Sequence, residues 1–465
     1  MFKKSVYIER RNKLKKLVNS GIILIPGNNE SPMNYPANGY HFRQDSNFLY
    51  FFGQDIPGMA GVIDVDNDTE YIFADDVDID DIIWMGPQPT VKALASEVGV
   101  ENSRKFGDLA DFLKSAKAKK RTIHFPPLYR NDHMIYFNNV LGIPFNGMNK
   151  YASEALIKAI VELRSIKDQY EIAELDKACD IGYMMHTEAM RMAQSGVGER
   201  EVAGRMEGIS LSHGGVPSFP IILSVNGQTL HNHYHGNVMQ EGNLMLADAG
   251  CETTMHYPSD HTRTTPVGGK FTQKQKEIYQ IVLDSNNYAA EIMKPGVTNL
   301  WVHMKAAEVL VKGLKDLGIM KGDPEEAVTT GAYALFQPHG LGHMIGLDVH
   351  DMEGLGENYV GYDEKTKRPE IFGLAALRLG RELQPGFVLS NEPGCYFIPE
   401  LIELWKRDKK HSAFINYDKL DDYVDFGGIR IEDDILITDK GSRLLGQKRI
   451  PVTPDEVEQT CQGMR

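Results

Sequence analysis

The sequence predicts an α+β protein with an N-terminal mixed-sheet α/β domain, residues 1–152, and a second α+β domain, residues 153–465. Two observations lead to this prediction. Up to residue 152, short apolar runs closed by turn residues alternate with helical patterns, and at residue 153 a long helical region begins. In addition, a chain of 465 residues exceeds the usual size of one hydrophobic core.

The N-terminal domain combines one helical pattern with several predicted strands. Apolar residues recur at helical spacing over residues 7–19. The apolar runs that follow are short and end at turn-forming residues, which is typical of strands. Asn67 and Asp68 separate two of these runs and predict a hairpin. The predicted strands are GIILIPGNN (21–29), FLYFFG (48–53), AGVIDVD (60–66), TEYIFAD (69–75) and RTIHFPP (121–127).

The second domain begins with a predicted helical region, residues 153–194. Leu156, Ile160 and Leu163 show its pattern, in which apolar residues recur every three to four positions. This spacing places them on one face of a helix. Further along, the polar, glycine-bearing segment 353–376 predicts an inserted loop.

Composition excludes several classes of function. The formal net charge of −14 disfavours binding to the phosphate backbone of nucleic acids. The basic N-terminal segment lacks an apolar stretch, and no run of about eighteen apolar residues occurs, so we expect neither a signal peptide nor a membrane span. The cysteines form no CxxC pair, and we therefore expect a cytoplasmic protein without a disulfide scaffold. They are Cys179, Cys251, Cys395 and Cys461.

Four acidic residues of the second domain lie within or beside apolar runs that predict strands. A carboxylate in such a place is costly unless something neutralises its charge. In GGIRIEDDILIT (427–438), Ile429 and Ile431 face one side of the predicted strand. Arg430 and Glu432 face the other side. The four acids are Asp248 in NLMLADAG (243–250), Asp260 in YPSDHTRTTPV (257–267), Glu392 in FVLSNEPGCYF (387–397) and Glu432.

A fifth segment, PHGLGHMIGLDVHD (338–351), carries three histidines among glycines. Four carboxylates and one imidazole are enough to hold two divalent ions, and these donors suit Mn²⁺, Co²⁺ or Zn²⁺. Two such ions can activate a water and polarise a carbonyl group for amide hydrolysis. On spacing alone, the acids fit salt bridges or helix caps as well as they fit a metal site.

In this order, the segments resemble those of the pita-bread peptidases, specifically the aminopeptidase P and prolidase branch. The resemblance implies that the second domain is a pita-bread metallopeptidase domain, with metals on the concave face of a curved antiparallel sheet. It also implies a homodimer or homotetramer. The matching motifs are DAG, SDHTRT, HGLGHMIGLDVHD, NEPG and GGIRIEDD in the second domain, and FRQDSNFLYFFG (42–53), GVIDVD (61–66) and WMG (84–86) in the first.

The resemblance implies a site for two divalent metal ions, with Mn²⁺ preferred and Co²⁺ or Zn²⁺ as alternatives. Asp260 and Glu432 would bridge both ions. Glu392 would also act as general base for a hydroxide that bridges the metals. The full set of implied metal ligands is Asp248, Asp260, His343, Glu392 and Glu432.

The resemblance also implies catalytic and substrate-binding residues outside the metal ligands. His350 would stabilise the tetrahedral intermediate, and His231 would act beside it at the substrate. His233 and His235 lie so close to His231 in the sequence that either could take its place. Arg430 would orient the neighbouring acids.

The family cleaves before proline, which implies that the partners are short peptides with proline at the second position. Arg378 in LRLGRELQPG (377–386) matches the arginine with which prolidases bind the proline carboxylate, and the insert 398–426 resembles prolidase in length. The motif FRQDSNFLYFFG is widespread in proteins called aminopeptidase P. We therefore expect a Xaa-Pro aminopeptidase, with a Xaa-Pro dipeptidase as the alternative and a non-catalytic interaction protein as a more distant one.

Other residues beside these motifs are interpreted as structural. His339 lies among glycines and is assigned a polar packing role, and Asp433 and Asp434 are interpreted as surface or strand-end acids. Asp260 follows Asp248 by twelve positions, one more than the resemblance leads us to expect. The hairpin between them is expected to absorb the extra residue.

Overall fold

The computed structural model describes residues 1–463, which form two compact units. The N-terminal unit consists of residues 1–164 together with 353–359, and the C-terminal unit contains 165–352 and the chain from Val360 onward. The domain limits 1–152 and 153–465 stay a prediction.

The N-terminal unit is built on a mixed sheet with strand order β4-β3-β2-β1-β5. Its central pairs are antiparallel, and its outer pairs β3–β4 and β1–β5 are parallel. The strands are β1 (Ile22–Pro26), β2 (Ala60–Asp64), β3 (Thr69–Phe73), β4 (Asn102–Arg104) and β5 (Ile123–His124). The helices are α1 (Lys4–Val18), α2 (Ser46–Phe52), α3 (Ile79–Met85), α4 (Val91–Glu97), α5 (Asp108–Ala118), α6 (Asn131–Leu141) and α7 (Glu154–Ser165), with a 3-10 turn at Met148–Tyr151.

The segment FLYFFG forms helix α2, so the prediction of a strand at 48–53 is wrong. The Asp45 side chain caps the helix by accepting a hydrogen bond from the Phe48 amide at 2.9 Å. Gly53 ends it in the left-handed conformation, at φ 63°. Every residue of α2 is buried, and an apolar run that is buried on all sides shows no period that distinguishes a helix from a strand.

The remaining strands form three small antiparallel sheets, with orders β6-β7-β8, β10-β11 and β13-β12-β9. They are β6 (Ile222–Ser224), β7 (Leu244–Ala249), β8 (His261–Pro266), β9 (Val388–Asn391), β10 (Gly394–Tyr396), β11 (Gly428–Arg430), β12 (Asp433–Ile437) and β13 (Ser442–Leu444). The helices after α7 are α8 (Gln169–Met192), α9 (Glu199–Ser212), α10 (Gln273–Ile292), α11 (Asn299–Asp316), α12 (Pro324–Thr329), α13 (Glu357–Val360), α14 (Pro399–Arg407), α15 (Tyr417–Leu420) and α16 (Pro454–Gln462), and 3-10 turns lie at Ala332–Leu335, Glu353–Leu355, Leu374–Ala376 and Asp421–Tyr423. Within residues 1–463, no helix is both long and apolar enough to span a membrane.

The short segment between β11 and β12 is bridged to β8 at Thr262 and Glu432, where the Glu432 amide donates to the Thr262 carbonyl oxygen at 3.1 Å. In the hairpin of β7 and β8, Asp248 pairs with Thr262. The residues between the two strands therefore take up the long spacing from Asp248 to Asp260. The pairing of β7 with β8 stays continuous.

Strand β11 and the residue after it bury one side against helices α10 and α11. Ile429 and Ile431 lie in the same apolar cluster as Ile278 of α10 and Leu310 of α11. Arg430, between the two isoleucines, instead makes polar contacts away from this cluster. The predicted alternation of apolar and charged residues along GGIRIED is confirmed.

Candidate metal centre

Five side chains from separate strands and loops converge on one buried site. Strands β7, β8, β9 and β11, which belong to three different sheets, carry or adjoin four of these residues, although the residues are far apart in sequence. Asp248 lies within β7, Asp260 directly precedes β8, His343 lies in the loop after the 3-10 turn at Ala332–Leu335, Glu392 directly follows β9, and Glu432 lies between β11 and β12.

The ligand atoms of this site are close enough to share metal ions. His343 Nε2 lies 3.4 Å from Asp260 Oδ2 and 3.7 Å from Glu392 Oε1. One ligand atom each from Asp260, His343 and Glu432 lies within 4.8 Å of the other two. This grouping is the geometry that a metal centre requires.

The carboxylates of the site oppose one another's ionisation. Burial raises the pKa of Asp260 and of Glu432 well above the ordinary range, and the negative charge of Asp248 raises both further. Burial also raises the pKa of Glu392 to about 7, although the positive charges of His343 and Arg430 oppose this rise. A buried cluster of like charges is stable only when protons or cations neutralise it.

The residues present therefore fit a pair of divalent cations. Oxygen and imidazole nitrogen donors match hard and borderline metals. Within the described chain, Asp248 Oδ1 is buried and has no hydrogen-bond partner, as expected for an oxygen reserved for a metal. A bound cation would supply the positive charge that the cluster lacks.

Arg430 connects the acidic ligands to a hydrogen-bond network. Its guanidinium group donates to Asp248 Oδ2, to Thr262 Oγ1 at 3.1 Å and to the Tyr396 hydroxyl at 2.8 Å. Thr262 Oγ1 in turn donates to Glu432 Oε2 at 2.6 Å. Arg430 thus contacts Asp248 directly and Glu432 through one hydroxyl, and its role in orienting these acids stays a prediction.

Three histidines flank the ligands. The rings of His350 and His343 lie 4.0 Å apart between centroids. Burial and the positive charge of Arg430 lower the pKa of His231, which favours its neutral form. His339, which the sequence interpretation set aside as structural, lies 3.9 Å from Glu392 and shares a hydrogen bond with Tyr396, so it belongs to the polar network of the site.

The remaining candidates lie less centrally. His235 Nε2 is hydrogen-bonded to the Ile221 carbonyl oxygen at 3.1 Å, whereas His231 and His233 are both exposed, so the choice of His231 among the three histidines stays a prediction. Arg378 lies between the 3-10 turn at Leu374–Ala376 and β9, and it is half-buried. Its role in binding a substrate carboxylate stays a prediction.

Asp433 and Asp434 begin strand β12, as expected for strand-end acids, but both are buried, so the alternative of surface acids is wrong. Burial opposes ionisation of Asp433, but ion pairs with Arg263 at 2.6 Å and Arg449 at 2.8 Å lower its pKa well below the ordinary range. Asp434 Oδ2 accepts a hydrogen bond from the Asp260 amide at 3.0 Å. Consecutive residues of a strand point to opposite faces of the sheet. Asp433 is paired with arginines on one face, and Asp434 accepts a backbone hydrogen bond on the other.

A second group of potential ligands, Cys179, His261 and Asp434, lies behind Asp260. The Cys179 thiol donates to Asp434 Oδ2 at 3.2 Å, and the same oxygen accepts the Asp260 amide. Within this group, Cys179 and Asp434 are therefore joined by a hydrogen bond, and Asp434 supports the backbone of Asp260.

We predict that Tyr396→Phe lowers both stability and activity, whereas Tyr333→Phe lowers stability alone. Each hydroxyl is buried and bonded to a histidine, Tyr396 to His339 at 2.9 Å and Tyr333 to His303 at 2.7 Å. Losing such a bond costs about 1–3 kcal/mol. Thermal unfolding should show comparable losses for the two variants. Equal losses of kcat/KM in both would contradict a role for Tyr396 in the site.

Sequence reasoning missed Thr262, Tyr396 and His339. The first lies within the motif SDHTRT and the second two residues after NEPG, so their positions offered a signal. Their polar role was not readable, because a threonine in a strand and a tyrosine near a strand end are ordinary packing residues.

Comparisons with known proteins cover nearly the whole chain. The model of metallopeptidase family M24 matches residues 173–439, and that of the aminopeptidase P N-terminal domain matches residues 7–124. A Xaa-Pro dipeptidase from Homo sapiens is 32% identical over 465 residues, which cover 98% of this chain and 91% of the relative. A probable Xaa-Pro aminopeptidase from Fusarium vanettenii is 32% identical over 425 residues, 90% of this chain and 86% of the relative. The structure of Escherichia coli aminopeptidase P with the inhibitor Pro-Leu has a TM-score of 0.80 and 29% identity, and 99% of each chain is covered.

Proposed function

Because this chain belongs to metallopeptidase family M24, we propose that it is a Xaa-Pro aminopeptidase that hydrolyses the bond before a proline at the second position of short peptides. The observation that carries this proposal is the convergence of Asp260, His343, Glu392 and Glu432 within one buried cluster, with Asp248 beside it. A Xaa-Pro dipeptidase and a probable Xaa-Pro aminopeptidase are each 32% identical to this chain.

Glu392 is the proposed general base. Its side chain is 20% exposed, compared with 6% for Asp260 and 10% for Asp248, so it is the most accessible of these three carboxylates. Without metal, burial raises the pKa of Glu392 to about 7, and a bound cation would keep the carboxylate ionised, so that it can take a proton from water and return it to the leaving proline nitrogen. Two divalent ions held by the five ligands would lower the pKa of the attacking water and polarise the scissile carbonyl group.

His231 and His350 are proposed to hydrogen-bond the substrate carbonyl oxygen as negative charge develops on it. The lowered pKa of His231 keeps its ring neutral near pH 7, so one ring nitrogen donates and the other accepts. Arg430 restrains Asp248 and Glu432 from the opposite side. This division assigns substrate contact to the histidines and ligand orientation to the arginine.

The proposed metal is Mn²⁺. Four carboxylates and one imidazole form an oxygen-rich set without thiolate, which suits Mn²⁺. Co²⁺ and Zn²⁺ accept the same donors and are the alternatives.

We also propose a cytoplasmic homodimer or homotetramer. Helix α3 supports self-association, because it exposes Ile79, Ile83, Trp84 and Met85, with Trp84 86% exposed. All four cysteines are free and buried, which agrees with a reducing compartment.

A Xaa-Pro dipeptidase is the second candidate, favoured by the position of Arg378 in a stretch similar to that of prolidases. The test compares hydrolysis of a Xaa-Pro dipeptide and a Xaa-Pro-Xaa tripeptide, both with added Mn²⁺. We expect the tripeptide to be cleaved at least as fast. Preference for the dipeptide, lost in Arg378→Ala, would establish the second candidate instead. Cleavage of neither would contradict the peptidase and favour a non-catalytic interaction protein.

A further inference from the structure

A buried ion pair adjoins the proposed substrate-contacting histidine and is not used by the chemistry above. Lys167 Nζ donates to Asp351 Oδ2 at 3.0 Å, and the two side chains are 0% and 1% exposed. Asp351 directly follows His350 in the sequence. Desolvating two charges costs as much as their attraction returns, so a pair of this kind contributes little to net stability and is well suited to fixing one conformation.

The first part of the loop 343–351 is fastened to strand β9. The His343 amide donates to Ser390 Oγ at 3.0 Å, and the Ser390 amide donates to the His343 carbonyl oxygen at 3.0 Å. The Ile345 amide donates to the Val388 carbonyl oxygen at 2.9 Å. His343 and the two residues after it therefore continue the sheet.

The second part of the loop closes on the first through Asp351. The Asp351 amide donates to the Met344 carbonyl oxygen at 2.9 Å. Its carboxylate lies directly against Gly346, where a Cβ atom would overlap both carboxylate oxygens. The position of His350 thus depends on how firmly Asp351 is held.

Lys167 provides a rigid point of attachment for that carboxylate. Its amide donates to the Gly386 carbonyl oxygen at 2.9 Å, and the Gly386 amide donates to the Ile437 carbonyl oxygen of β12 at 2.9 Å. The next residue, Asp168, caps helix α8 in a reciprocal capping box with Glu171. The ammonium group is therefore carried by backbone that is tied to both a helix and a sheet.

We infer that Lys167 and Asp351 are positioning residues that close the loop 343–351 and so hold the ring of His350 against that of His343. The inference rests on the proposed function, in which His350 contacts the substrate. In this inference the ion pair acts through the backbone between residues 344 and 351, to which the Asp351 amide is bonded at Met344.

The test uses Lys167→Met, Asp351→Asn and the double variant, each alone and combined with His350→Ala. Either single variant leaves one buried charge unpaired, whereas the double variant removes both charges and should recover much of the lost thermal stability. We expect kcat of the double variant to fall by about 10- to 100-fold, since misplacing a catalytic group by about 1 Å has effects of this size. Metal content and KM should change little. In the His350→Ala background, removing the pair should have no further effect on kcat.

A control is the ion pair of Arg11, which is buried, with Glu70, which is half-buried, in the N-terminal unit, at a distance of 2.7 Å. Arg11→Met should lower thermal stability and leave kcat of the folded protein unchanged. Additive losses of kcat in the His350→Ala background would overturn the inference and make the pair merely structural, and so would wild-type kcat in the Lys167→Met/Asp351→Asn variant.

Hydrogen exchange separates this inference from the proposed function, because it does not require activity. Amides 344–351 should exchange faster in the double variant than in the wild type, while amides of β7 and β8 keep their protection. Unchanged exchange at 344–351 would refute loop closure by the pair even if the wild type hydrolyses peptides. An inactive wild type with the expected exchange would refute only the proposed function.

Discussion

Replacing Glu392 by glutamine should abolish hydrolysis of Xaa-Pro peptides while the protein stays folded. A glutamine amide cannot accept the proton of the attacking water. It also lacks the acidic group whose pKa burial raises in Glu392. General-base catalysis contributes about 10²- to 10⁴-fold, and because Glu392 is also a proposed metal ligand, we expect kcat to fall by at least ~10³-fold. Steady-state kinetics with a Xaa-Pro-Xaa tripeptide measure this loss.

The control for this variant is Glu403→Gln, which makes the same chemical change at an exposed position on α14. It should keep wild-type kinetics. Thermal unfolding of Glu392→Gln should remain cooperative, because removing one charge relieves repulsion from Asp260 and Asp248. Hydrolysis at more than about a tenth of the wild-type rate by a folded Glu392→Gln protein would exclude Glu392 as the base.

Removing the metal should destabilise the protein as well as inactivate it. Without cations, Asp248, Asp260, Glu392 and Glu432 repel one another in a buried site. A ligand present at a thousand times its dissociation constant stabilises the folded state by about 4 kcal/mol, and chelation forfeits that contribution. Comparing the thermal unfolding of the protein with a chelator and after Mn²⁺ is added back measures this loss of stability.

The metal-free protein should also lose stability as pH rises. The raised pKa values mean that the folded state binds more protons than the unfolded state between the ordinary carboxylate pKa and the raised value, which is about 7 for Glu392. Stability is therefore greatest below the ordinary pKa and declines through that window. Asp260→Asn should flatten the decline and weaken the response to Mn²⁺. A metal-free protein whose stability rises between pH 5 and pH 7, with no dependence on Asp260, would contradict the charge argument.

The sequence allowed the strands of the site to be predicted in some detail. Ile429 and Ile431 do face the core while Arg430 turns away, because a strand alternates its faces whatever surrounds it. The hairpin joining β2 and β3 follows from Asn67 and Asp68, the latter at φ 48°. The family match confirms the resemblance that ordered motifs such as NEPG and GGIRIEDD carried.

Other features depended on tertiary contacts that no local pattern reveals. Helix α2 is buried on all sides, so its sequence shows no helical alternation of apolar and polar residues. Only the capping residue Asp45 indicated a helix there. Asp433 is internal because Arg263 and Arg449 reach it from other segments. His339 joined the site only when folding brought Tyr396 beside it. In each case the missing information was the identity of a distant partner.

The measurement that tests the central claim most directly is a titration of the metal-free protein with Mn²⁺ while hydrolysis of a Xaa-Pro-Xaa tripeptide is followed, with a Xaa-Ala-Xaa tripeptide in parallel. If the five ligands form a dinuclear centre, cleavage before proline appears on addition of Mn²⁺ and saturates near two equivalents per chain, and the alanine peptide stays intact. Hydrolysis that is independent of Mn²⁺, or equal cleavage of both peptides, would contradict the account.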